Sequence, residues 1–181
     1  MNLHLFEFTE EDLKLNTRGV ITSRQKEWLA GMGQGIVRVQ RFNAWIALGF
    51  VLFGSCLTFG FYMSNEDSRA AFFSNPINLF VLPGAVLLVI AITALSIFFA
   101  GRLANKLSTP ELKIADGKVR LDEDNSGNSE GTTYLAYIGR KKFAFGDEVN
   151  TIFQEGAKYR VYYCKAGILE FVLSFEKLSL L

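Results

Sequence analysis

The stretches Asn43–Met63, NAWIALGFVLFGSCLTFGFYM, and Asn78–Gly101, NLFVLPGAVLLVIAITALSIFFAG, decide the fold. Neither holds a charged residue. At 1.5 Å of rise per helical residue, each spans a hydrocarbon core of about 30 Å. They read as a transmembrane hairpin over residues 43–107, between an N-terminal segment (1–42) and a C-terminal domain (108–181). Composition agrees: 50% hydrophobic residues and 17 Phe suit a chain with part of its mass in lipid.

The flanks set an orientation. Lys14, Arg18, Arg24, Lys26, Arg38 and Arg41 precede the first span, and Arg102, Lys106 and Lys113 follow the second. The connection SNEDSRAAFFSNP carries only Arg69, against Glu66 and Asp67. This asymmetry predicts both termini in the cytoplasm and the connection outside. A cleaved signal is not expected, since MNLHLFEFTEEDL has acids and no apolar core of signal length.

Within the spans, small residues recur four apart: Gly54 with Thr58, Cys56 with Gly60, Ser96 with Ala100. They are the expected helix-packing positions, toward the other span or a second copy, because small side chains let helices approach in lipid. The absence of intramembrane charge disfavours an ion or proton path through this chain alone.

Thr9 before Glu10, Glu11 and Asp12 caps a short helix to about Leu15. Asn16 to Gly19 reads as a turn. Thr22 with Gln25 forms a capping-box pattern opening an amphipathic helix that leads into the first span. Trp28, Arg38, Arg41 and Arg102 are the expected contacts to lipid headgroups. Gly31, Gly33 and Gly35 each cost that helix roughly 1 kcal/mol against Ala, which points to a hinge or a packing position. In the connection, Phe72 and Phe73 are expected at the interface, and Asn75-Pro76 marks a helix start.

After Ser108-Thr-Pro110 the pattern shortens to alternating runs. Asp116-Gly117 between Leu112–Ala115 and Lys118–Leu121 predicts a hairpin. Further strands are expected around Gly139-Arg-Lys and Lys165-Ala-Gly167, with a short helix after Asp147. In the last strand Leu169, Phe171, Leu173 and Phe175 share a face by period two. Five or six strands in about seventy residues give a small antiparallel barrel of the SH3 or OB kind, or a compact sandwich. The class is thus membrane α+β. A membrane hairpin followed by such a barrel resembles the plan of NfeD-type membrane proteins; the resemblance is architectural, with no shared motif, and implies no residue or activity.

The chemistry-bearing residues exclude more than they assign. His4 is the only histidine, and no carboxylate pair has a spacing that commits it to acid–base work. Cys56 and Cys164 suggest no disulfide framework. Asp122, Asp124 and Ser126 imitate a calcium loop, but Thr133 stands where the bidentate Glu is needed. No cofactor or metal is expected. Nucleic acid is disfavoured by a net charge of +1. Tyr159, Arg160, Tyr162 and Tyr163 are the expected partner face, although strands are rich in Tyr for packing alone. The expectation is a non-enzymatic membrane protein whose β-domain binds or positions a protein partner, with lipids and a partner or second copy as its contacts. The alternatives are an accessory subunit of a larger transport or enzyme complex, and a solitary membrane enzyme.

Overall fold

The computed structural model describes residues 7–74, 76–124, 133–145, 149–167 and 169–178. The chain divides into two compact units, Met1–Gly31 with Lys106–Leu181, and Met32–Asn105.

The β-containing unit is built on a curled five-stranded antiparallel sheet of order β3-β2-β1-β4-β5. The strands are β1 Leu112–Asp124, β2 Thr133–Ile138, β3 Lys141–Phe145, β4 Lys158–Ala166 and β5 Leu169–Lys177. β1 is one unbroken strand of 13 residues, which overturns the hairpin expected at Asp116-Gly117. Its first half, Leu112–Lys118, pairs with β4, and its second half, Val119–Asp124, pairs with β2. Gly117 serves the change of partner, not a turn. Its φ is +154°, and a Cβ there would stand 2.5 Å from the Gly139 Cα and N. Gly139 has φ +60° in the two-residue β2–β3 turn, where Ile138 pairs with Lys141. The two glycines let the backbones cross.

The core inside the curl holds Val119, Ile138, Phe143, Phe145, Phe153, Tyr159, Val161, Tyr163 and Val172 among others. A short helix, α5 (Val149–Ile152), adds Val149 to it. The single face expected for β5 is broken by an irregularity: Tyr162 pairs with Ser174 but Tyr163 with Val172, so Leu173 has no partner in the register. Val172 and Phe175 therefore meet the core, while Phe171 packs edge-on against Trp28, with ring centroids 6.0 Å apart.

The N-terminal segment covers the other side of β5. α1 (Glu10–Asn16) begins at the Thr9 capping box, as its sequence requires. α2 (Ser23–Met63) opens with Thr22 and Gln25 bonded reciprocally. Asn16 Nδ2 donates to Ser174 Oγ at 2.6 Å, and Gln25 Nε2 donates to the Leu173 carbonyl at 3.2 Å. All three side chains, Asn16, Gln25 and Ser174, are fully buried. The carbonyl Gln25 takes is that of the residue left over by the β5 irregularity.

The second unit is helical. α2 runs without interruption through Gly31, Gly33 and Gly35, so there is no break in the helix there. α3 (Glu66–Ser74) replaces the irregular connection expected between the spans. Asn65 Oδ1 accepts from the Asp67 N–H at its start. Phe72 is buried, 5.0 Å from the Tyr62 ring, while Phe73 is exposed. α4 (Pro76–Ser108) follows, with Pro83 inside it. Two helices are long and apolar enough to cross a membrane, Ser23–Met63 and Pro83–Ser108, and their most apolar windows are 0% and 6% buried.

Candidate functional site

Strand register brings together a row of side chains that sequence reading did not single out. Arg120 on β1 lies opposite Tyr137 on β2, and Tyr137 opposite Lys142 on β3. Directly opposed residues share a sheet face. This face is the one turned away from the core, because Val119, Ala136, Ile138 and Phe143, their chain neighbours, fill the interior. The Arg120 guanidinium carbon sits 4.5 Å from the Tyr137 ring centroid, and Lys142 Nζ 6.0 Å from it. Arg120 and Lys142 are exposed and Tyr137 is half-buried. Among the described residues, neither cation is in an ion pair. A ring held between two cations presents an amphipathic, positively charged surface.

The expected partner face is placed otherwise. Tyr159 and Tyr163 are buried in the core, at 6% and 3% exposure, and Tyr162 is buried at 1%. Alternation along β4 puts Arg160 and Tyr162 opposite to Tyr159 and Tyr163. The Tyr162 hydroxyl donates to Glu176 Oε1 at 2.8 Å, and Arg160 pairs with the same carboxylate at 3.5 Å. Burial first, and then the Glu176 acceptor, raises the Tyr162 pKa. Packing accounts for all three tyrosines, and Arg160 alone of the four is half-exposed.

The expected headgroup contacts separate. Trp28 is half-buried against Phe171, whereas Arg38, Arg41 and Arg102 are exposed. Arg102 lies 5.0 Å over the Phe98 ring. The small-residue positions are mostly open. A Cβ on Gly54 or Gly60 would meet nothing within 4 Å, and the Thr58 hydroxyl donates back to the Gly54 carbonyl. Cys56 is exposed, Ser96 half-buried and Ala100 buried. The close helix approach falls at Gly33 instead, where a Cβ would stand 3.0 Å from Ala104 Cα. The packing reading of the glycine run holds for Gly33; Gly31 and Gly35 face open space.

Two titrating groups are informative. Cys164 is buried, and loss of solvent pushes its thiol up to about 12, far from a nucleophile's range. Asp12 is buried too, which alone raises its pKa. Hydrogen bonds from the Thr22 hydroxyl, the Thr9 N–H, Arg24 and the Thr9 hydroxyl outweigh this and hold it at about 2. Asp12 ties α1 to the start of α2 and is structural. Among the described residues no group of three or more His, Cys, Asp or Glu is placed to hold a metal ion. His4 and most of the calcium-like loop lie outside the described residues.

Compared with protein-family models, with curated proteins and with solved structures, the chain matches none.

Proposed function

We propose that this is a non-enzymatic, two-span membrane protein whose β-unit, read as a small SH3- or OB-like barrel, binds or positions a protein partner at the cytoplasmic face. α2 and α4 are the spans. Their exposed side chains include Phe50, Phe53, Phe61, Leu87, Leu88 and Ile92, an arrangement that water penalises and lipid does not. The Lys/Arg asymmetry supports cytoplasmic ends on both spans.

One observation carries the partner reading: the exposed row Arg120–Tyr137–Lys142, cationic at both ends and aromatic at its centre. Tyr and Arg are the side chains most often found at binding hot spots. The partner segment it suits is acidic, with an apolar group to cover the ring. Purification of the tagged protein in mild detergent tests this. The expected result is a stoichiometric protein recovered with the wild type and lost with Tyr137→Ala or Arg120→Ala. Repeated recovery of the chain alone overturns it.

The open faces around Gly54 and Gly60 support a second reading, an accessory subunit packed against other helices. On that reading Gly54→Leu and Ser96→Leu abolish assembly; assembly untouched by both removes it.

A further inference from the structure

A cavity of about 350 Å³ is lined by Lys106, Thr109, Glu111, Lys113, Lys165 and Gly167. Its size falls in the range of small-ligand sites and is too small for a folded partner. Five segments build it: the last turn of α4 (Lys106), the chain leading into β1 (Thr109, Glu111), β1 itself (Lys113), the end of β4 (Lys165), and the β4–β5 turn (Gly167). We propose that this cavity binds a phosphate group, carried by a lipid headgroup or by a free phosphate.

The charge arrangement favours an anion. Three ammonium groups line the cavity, and their competing acids hold them weakly. Lys113 meets Glu111 at 3.7 Å, with the Glu111 side chain 81% exposed. Such a surface pair contributes little and yields to a better acceptor. Lys165 meets Glu170 at 3.6 Å, but the same Glu170 oxygen also takes Lys141 at 3.3 Å. One carboxylate thus serves two lysines and leaves each with unused positive charge. Among the described residues Lys106 is in no ion pair. As the basic residue of the last turn of α4, it also offsets the negative end of that helix. Several rotatable ammonium donors suit a tetrahedral phosphate, which offers oxygens in several directions. Gly167, at φ +64°, adds no side chain to the opening.

Position decides which source of phosphate is favoured. Lys106 follows Gly101, the end of the charge-free stretch, by five residues of continuous helix. That is about 8 Å of rise, the depth at which phosphates lie outside the hydrocarbon core. This part rests on the membrane reading; the phosphate chemistry does not, and neither depends on the partner row.

The test uses the full chain in mild detergent, titrated calorimetrically with a soluble short-chain phosphatidic acid and, separately, with inorganic phosphate. The wild type is expected to bind the lipid, and Lys106→Gln/Lys113→Gln/Lys165→Gln to bind at least about tenfold more weakly. Lys165→Gln alone, which alters one exposed side chain, reads out the same loss should the triple variant fail to fold. Lys142→Gln, on the partner row, is expected to keep wild-type affinity. Binding of the lipid but not of inorganic phosphate assigns a headgroup site; equal binding of both, lost in the lysine variants, assigns a free-phosphate site. No binding of either probe by the wild type overturns the proposal. So does equal binding by the wild type and Lys165→Gln, or a loss in Lys142→Gln as large as in Lys165→Gln.

Discussion

Substitution of Gly117 by Ala separates steric crossing from ordinary backbone strain. In the native strand the Gly117 backbone has φ +154°, a region all but closed to residues with a Cβ, which costs about 1–3 kcal/mol. The added methyl would also stand 2.5 Å from two backbone atoms of Gly139. Gly139 cannot yield by a rotamer change, because the atoms the methyl would meet are backbone, and the Asp116 carbonyl closes the space on Gly139's own Cβ side. Overpacking of this kind adds about 1–3 kcal/mol. The sum, about 2–6 kcal/mol, is a large part of the 5–15 kcal/mol typical of a folded domain. Gly156→Ala supplies the comparison. Its φ is +76° with nothing within 4 Å, so only about 1 kcal/mol is expected. The assay is urea unfolding of the full chain in detergent, in a Trp45→Phe background so that Trp28 alone reports. Trp28 packs edge-on against Phe171 and its emission follows loss of that contact. Equal costs for Gly117→Ala and Gly156→Ala would refute the crossing and restore Gly117 to an ordinary bend.

Two further outcomes follow from the titrating groups. Asp12 has a folded pKa of about 2 against an ordinary 3.8, so it contributes stability above pH ~4 that is lost as pH falls through ~2. Allowing for screening at the half-exposed Arg24, the contribution is about 1–2 kcal/mol; Asp12→Asn should lose it at neutral pH and show a flatter acid limb in pH-dependent unfolding. Cys164, with its thiol near 12 and its side chain buried, should react roughly a thousandfold more slowly than an ordinary thiol until the chain is denatured. It therefore cannot report topology, and in a Cys56→Ser background Asn65→Cys should react with an impermeant maleimide on intact cells while Lys142→Cys reacts only after permeabilisation. The reverse pattern would refute the orientation.

The apolar helices were legible because twenty uncharged residues leave few alternatives, and the capping boxes at Thr9 and Thr22 because their partners lie three residues away. What the sequence hid was non-local. Asp-Gly reads as a turn wherever it stands; only the approach of Gly139, from the β2–β3 turn, makes Gly117 a crossing point. Asn16 looked like a turn residue, and its bond to Ser174 spans 158 positions. Alternation along β4 was visible, but it could not say that side chains on both faces are buried, Tyr159 and Tyr163 on one and Tyr162 on the other. The tyrosines therefore read as surface. The row Arg120–Tyr137–Lys142 needs the register of three strands, and the one local clue was the tight Gly139-Arg140 turn, which fixes Tyr137 opposite Lys142 once its length is known.

The bonds from Asn16 and Gln25 to β5 have a consequence in time. They join positions 158 and 148 residues apart. A ribosome adding about 5–20 residues per second needs many seconds to make the chain between them. Throughout that interval the segments of α1 and the head of α2 lack their partner strand, so the amides of Asn16 and Gln25 must wait in water. On the membrane reading, both spans emerge during the same wait. The β-unit is then the last part to close, and on that same reading it closes on a chain already anchored, by a search confined to the membrane surface.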